Sequence, residues 1–116
     1  LCPTGWHVPT DAEWTVLTDY LAANGHSGAV GTALKATSGW NNNGNGSDDY
    51  GWLGLPGGLR FSSGYFGPIG NYGYWWSSSP HDTLHAWTRF LGSLNDGVFR
   101  GPTNKIYGFS VRCLRD

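Results

Sequence analysis

Three features of the sequence predict an α+β fold. Two segments with helical periodicity lie in the first third of the chain. Everything after Tyr50 breaks into short extended runs separated by turns. Nineteen glycines and seven tryptophans occur together in 116 residues. Helices first and strands afterwards, rather than in alternation, is the α+β arrangement. The length suits one domain, residues 1–116, and no repeat, linker or second domain interrupts it. Long aliphatic side chains are few, so the core must be built largely from aromatics, each of which buries a large area. The glycines supply tight turns and close backbone approaches rather than long helices. Disordered chains lack aromatics on this scale, which excludes disorder.

The first nine residues read as an extended entry, because Pro3 and Pro9 oppose a helix. Thr10-Asp11-Ala12-Glu13 is a capping box, in which the Thr10 hydroxyl and the Glu13 carboxylate each satisfy the other's backbone amide. Trp14, Leu17 and Leu21 follow at helical spacing, with Val16 and Tyr20 expected to widen the stripe, so the first helix spans Asp11–Ala23. Asn24-Gly25 supplies a left-handed stop. A second, shorter helix fits Ala29–Ala36, ahead of Ser38-Gly39.

Residues 41–49 form a polar loop whose Asn41, Asn43, Asn45 and Gly46 imitate the start of a calcium-binding loop. The first ligand position is Asn, however, and Trp52 stands where a bidentate Glu is required. A turn-rich loop tied down by Asn side chains is the favoured reading. Calcium held by Asp48 and Asp49 in a different geometry competes with it. Extended runs are expected at Tyr50–Leu55, Leu59–Phe61, Tyr65–Ile69, Tyr74–Ser78, Leu84–Ser93, Gly97–Arg100 and Tyr107–Leu114.

A formal charge of −1 favours neither nucleic acid nor an anionic membrane as partner. No apolar run is long enough to insert in a membrane, and no signal peptide is present. The chain begins with Leu and contains no Met, as an excised domain or processed fragment would. Its two cysteines, Cys2 and Cys113, sit near opposite ends, and the termini of compact domains often lie close together. A Cys2–Cys113 disulfide is therefore expected, in preference to two free thiols, and with it an oxidising, extracellular or cell-surface compartment.

Several segments resemble the Fibrobacter succinogenes major paralogous domain. They are Cys2-Pro3-Thr4-Gly5-Trp6-His7-Val8-Pro9-Thr10-Asp11-Ala12-Glu13-Trp14, Ala36-Thr37-Ser38-Gly39-Trp40, Leu55-Pro56-Gly57-Gly58, Tyr74-Trp75-Trp76-Ser77-Ser78 and Gly108-Phe109-Ser110-Val111-Arg112-Cys113. The first segment also resembles the formylglycine-generating-enzyme-like branch of the C-type lectin fold. The resemblance implies two helices, a twisted antiparallel sheet, and adjacent N- and C-terminal strands. It further implies an exported protein, namely a surface lipoprotein, a pilus-tip adhesin or a phage receptor-binding protein. Some members resemble the variable proteins of diversity-generating retroelements, whose adenine-directed mutagenesis rewrites codons near the C-terminus. In those proteins the fold holds a changeable binding face.

The alternation in the last third fits that picture. A strand sends successive side chains to opposite faces, so Trp87, Arg89, Leu91 and Ser93 share one face and Thr88, Phe90, Gly92 and Leu94 the other. The odd set resembles the family framework, along with Val98, Arg100 and Lys105. The even set is expected to be displayed. The candidate ligand-binding face comprises His81, Asp82, Leu84, His85, Thr88, Phe90, Gly92, Leu94, Asn95, Asp96, Phe99, Pro102, Thr103, Ile106 and Tyr107. All are residue types that adenine mutagenesis of an Asn codon can reach. Phe90, Leu94, Phe99 and Ile106 would form an apolar patch able to bind a protein or glycan on another cell or host surface. The competing reading places these four in a second core layer.

An enzyme is not expected. Ser77, Ser78 and Ser79 lie near His81 and Asp82, but no nucleophile elbow surrounds them. His81 and His85 would share a zinc ion only if a turn brought them together, and no third ligand is evident. Neither a catalytic residue nor a cofactor is assigned. Trp40-Asn41-Asn42 resembles in part the W-N-D motif of sugar-binding lectins, without its partner motif. Two less favoured functions are glycan binding, either calcium-dependent or on an aromatic platform of Tyr65, Phe66 or the aromatics of the candidate face, and a purely structural role as a stalk or pilus spacer.

Overall fold

The computed structural model covers residues 1–116. The elements run β1 (Trp6–His7), α1 (Asp11–Leu21), a wide helical turn over Ala22–His26, α2 (Val30–Leu34), β2 (Leu59–Arg60), β3 (Phe66–Gly67), β4 (Tyr72–Pro80), β5 (His85–Gly92), β6 (Phe99–Asn104) and β7 (Leu114–Arg115). The arrangement is α+β, with every named strand pair antiparallel.

Helix α1 starts where the capping box predicts. The Glu13 amide donates to Thr10 Oγ1 at 3.1 Å, and the Thr10 amide donates to Glu13 Oε2 at 2.8 Å. Trp14 and Leu21 are buried and Leu17 packs against them. Val16 and Tyr20 are exposed instead of widening the stripe. At about 100° per residue they stand roughly 200° and 240° around the axis from Trp14, on the solvent side. Gly25, at φ +97°, turns the chain out of the helical path. Helix α2 is shorter than expected, because Lys35 is already extended and bridges Gly54.

The core joins Trp14, Leu21, Ala33, Leu34, Trp40, Trp75 and Leu91. Trp52 sets its ring edge-to-face with both Trp14 (centroids 5.9 Å) and Trp75 (5.0 Å). This is the aromatic core that the scarcity of aliphatics requires. A Cβ on Gly73 would lie 2.5 Å from the Trp75 ring and 2.6 Å from the Leu55 carbonyl, so only glycine fits there.

The central sheet has the order β4-β5-β6. Tyr74 pairs with Phe90 and Phe90 with Phe99, while Trp75 pairs with Arg89 and Arg89 with Arg100. The expected C-terminal strand is not continuous. Gly108 bridges Arg60, Ser110 bridges Trp75, and only Leu114–Arg115 forms β7, on β1. The segment thus leaves the central sheet to reach the N-terminal strand, and no single straight strand could serve both. Tyr50–Leu55 likewise forms no strand, since Leu53 adopts φ +56° and Gly54 serves only the bridge to Lys35. The terminal pairing is reinforced by the Cys2–Cys113 disulfide (Cα–Cα 5.9 Å). It is reinforced again by His7, whose imidazole bonds Asp116 at 2.6 Å and Glu13 at 2.9 Å. No helix is long and apolar enough to cross a membrane.

Candidate functional site

The two faces of the central sheet differ in chemistry. Helix α1 docks on the face of the odd residues of β5. Buried Arg89 donates to Asp11 Oδ1 at 2.6 Å and to Thr15 Oγ1 at 3.1 Å. Arg100 donates to Asp11 Oδ2 at 2.8 Å and lies 3.6 Å above the Trp87 ring. The hydrogen bond from Arg100, reinforced by Arg89, holds the Asp11 carboxyl below its ordinary pKa. With Leu91 and Ser93 buried as well, the odd set is scaffold.

The opposite face carries Tyr72, Tyr74 and Trp76 from β4, Phe90 from β5 and Phe99 from β6, and Phe109 adds a ring from the chain beside β4. These six rings stack in series. Phe99 lies 5.0 Å from Phe90, and Phe90 lies 5.5 Å from Tyr74. Tyr74 is 5.7 Å from Tyr72 and 4.8 Å from Phe109, which is 4.6 Å from Trp76. The ring planes in these pairs differ by 20–33°. Four of the five pairs are stacked and the Tyr74–Phe90 pair is more tilted, so neighbouring rings hide part of one another's faces. Burial among them raises the Tyr74 phenol above its usual pKa.

The fifteen predicted residues divide into several groups. Phe90, Phe99 and half-buried Thr103 belong to the ring face. Thr88 shares that face but is 1% exposed; its hydroxyl donates to the Gly101 carbonyl at 2.9 Å. Its short side chain is sunk beside Trp76, its partner across β4. Gly92 is also buried, with the Asn95 amide nitrogen 3.1 Å and the Tyr72 ring 3.2 Å from where a Cβ would be. The alternation therefore assigns the face correctly but overstates what is displayed on it. Pro102 pairs with Trp87 and so falls on the scaffold parity.

His81, Asp82, Leu84 and His85 form the tip between β4 and β5. Asp82 binds the imidazoles of His85 at 2.8 Å and His81 at 3.2 Å, and its Oδ1 accepts from the Leu84 and His85 amides. These bonds, that from His85 foremost, push its carboxyl well below the usual range. The turn does bring the two histidines together, around a carboxylate, but no group of three potential ligands surrounds a metal position. Ile106 is exposed beside this tip, since the Lys105 amide donates to the Leu84 carbonyl. Tyr107 instead meets Phe61 edge-on.

Leu94, Asn95 and Asp96 lie on the loop after β5, roughly 23 Å from the hairpin tip at about 3.3 Å per residue. Leu94 is 78% exposed. The loop is anchored by buried Lys35, whose Nζ donates to the carbonyls of Gly92 at 3.1 Å and Asn95 at 2.9 Å. Asp96 receives the Thr32 hydroxyl.

Four of the six rings, Tyr72, Tyr74, Trp76 and Phe109, lie outside the predicted set. Tyr72, Tyr74 and Trp76 share one parity, and that period-2 signal suffices to place them together. Phe109 carries no such signal, because its place beside β4 is a tertiary fact.

The serines of β4 and the polar loop have structural occupations. Ser77 Oγ donates to the Trp87 carbonyl at 2.7 Å and accepts from the Ser79 amide, while Ser79 Oγ accepts from the Asp11 amide. In the polar loop, Asn45 Oδ1 accepts from the Trp40 amide, Asp48 Oδ1 accepts from the Leu53 amide, and Asp49 pairs with His26.

A model of the Fibrobacter succinogenes major domain matches residues 1–115. No curated protein and no solved structure matches the chain.

Proposed function

We propose that this chain, which belongs to the Fibrobacter succinogenes major domain family, is a non-enzymatic, extracellular ligand-binding domain on a C-type lectin-like scaffold. It meets a partner with the outer face of its central sheet. The observation that carries this reading is the series of six stacked rings on the sheet face opposite α1. Packed aromatic rings over a rigid sheet resemble the centre of a protein interface, where large, stiff side chains lose little entropy on binding. The mutual stacking favours a protein partner for this face over a glycan, since a sugar ring needs an open aromatic face.

The exposed residues around the rings are the proposed subjects of retroelement diversification. Phe99 borders the series, Leu94, Asn95 and Asp96 lie on the loop beyond one end of β5, and His81, Asp82, Leu84, His85 and Ile106 lie at the other. Two ends some 23 Å apart by strand length suit a partner of protein size. The disulfide and the compact aromatic core fit a protein working in an oxidising environment.

Sequencing further copies of the domain from the parent genome tests the proposal. Differences should concentrate at Phe90, Leu94, Phe99, Thr103 and Ile106 and spare Trp87, Arg89 and Leu91. Beside one copy there should be a near-identical repeat and a reverse transcriptase gene. Differences spread evenly over all positions, with no repeat, would sink the diversification reading.

A further inference from the structure

A cleft of about 300 Å³ lies beside the stacked rings, between the β2–β3 hairpin and the Gly108–Ser110 segment. Its walls include Phe66, Arg60, Phe109 and Ser110, with Gly57 and Gly58 adding bare backbone. The volume is at the lower end of clefts that take small ligands, about 300–1,000 Å³. Three of its groups have no partner within the protein. Phe66 is 61% exposed and, unlike the six rings of the sheet face, stacks on no other ring. The Arg60 guanidinium makes no ion pair or side-chain hydrogen bond, unlike Arg89 and Arg100. The Ser110 hydroxyl is exposed and makes none either.

The position of Arg60 is built. Its backbone amide and carbonyl bond Gly108 in both directions at 2.8 Å. Its stem lies against Gly108, where a Cβ would come within 3.0 Å of the Arg60 Cβ. Glycine at 108 thus leaves room for the stem, and the charged head runs on to the hairpin turn, with Nη2 3.3 Å from where a Cβ on Gly64 would be.

We infer that this cleft is a binding subsite for an acidic sugar unit, a pyranose ring bearing a carboxylate. The flat C–H face of the ring stacks on the free face of Phe66. The carboxylate takes the guanidinium of Arg60, whose fork of donors matches its two oxygens. A ring hydroxyl bonds Ser110. A neutral sugar would leave the cation without a counter-charge, and a simple carboxylate would leave Phe66 uncovered, so the combination selects for both features. The site shares only Phe109 with the sheet face and does not depend on what that face binds.

Titration of the isotope-labelled protein with sodium glucuronate, methyl glucoside and glutamate, followed by NMR, tests this. Glucuronate should shift the amide signals of Arg60, Phe66 and Ser110 saturably, and methyl glucoside should bind at least about tenfold more weakly, as loss of a charge-assisted hydrogen bond implies. Arg60→Gln should reduce glucuronate binding to the level of the glucoside. Phe66→Ser should weaken both sugars, and Phe66→Leu, which keeps the bulk and the fold of the hairpin, should weaken them too. Phe99→Ser should leave all of this unchanged. No saturable shift, glutamate binding as tightly as glucuronate, or a Phe66→Leu variant with undiminished sugar binding would each overturn the assignment.

Discussion

Thr88 and Phe90 stand two residues apart on one strand, on one face, yet their surroundings are opposite. Thr88 is covered and its hydroxyl is used internally, whereas Phe90 stacks between Tyr74 and Phe99 in the ring series. Leu91, on the reverse face, is fully buried in the core. The cost of removing each side chain follows from what it touches. Phe99→Ser loses one partly exposed stacking contact, worth roughly 1 kcal/mol, which is about 4 °C in melting temperature for a domain of this size. Leu91→Ala opens a core cavity and should cost about 3 kcal/mol. Thermal and urea melts of the two variants check the ranking, and a larger loss at Phe99 than at Leu91 would make that ring part of the core.

At the scale of elements, the first turn of α1 decides how the helix sits on the sheet. Asp11 is the shared acceptor for Arg89 of β5 and Arg100 of β6, and the Arg89 side chain is almost wholly buried. Asp11→Ala leaves that guanidinium buried without its counter-charge and should destabilise the domain by about 3 kcal/mol or more. The Asp11 carboxyl titrates below its ordinary value, first because of the Arg100 hydrogen bond. Its contribution is therefore fully present above the unfolded pKa, about 4, and is lost as pH falls through the lower folded value. Urea melts from pH 6 downward should show Asp11→Asn losing less stability between pH 4 and pH 2 than the unaltered protein. Parallel slopes would mean that the pair does not couple to folding. The start of α1 is legible in the sequence because a capping box is local. Its buried stripe is legible from helical geometry, although Val16 and Tyr20 fall outside it. The length of α2 and the broken course of residues 107–114 are not, because each is set by a bridge to a distant residue, Gly54 for the first and Arg60, Trp75 and His7 for the second.

The whole molecule is closed by the pairing of its terminal strands, the Cys2–Cys113 disulfide and the His7 bonds to Glu13 and Asp116. In the loop-entropy model a closure of this length contributes about 4–5 kcal/mol, a large share of the roughly 5–15 kcal/mol by which domains are stable. Replacing both cysteines with Ala, or adding a reductant, should lower the melting temperature by about 15 °C. A change of only a degree or two would assign the closure to β1–β7 pairing alone. That the ends meet was readable from two cysteines at the two ends of a compact chain. So were the first helix, the aromatic core and the parity of β5, since spacing, capping and composition act over a few residues or over the chain as a sum. Parity states which side chains share a face, but not which face meets solvent or how deeply each residue sits in it. That was decided by where α1 docks, through Asp11, Arg89 and Arg100, and by the return of Phe109 beside β4. Only packing between distant segments could bury Thr88, expose Phe99 and complete the row of rings.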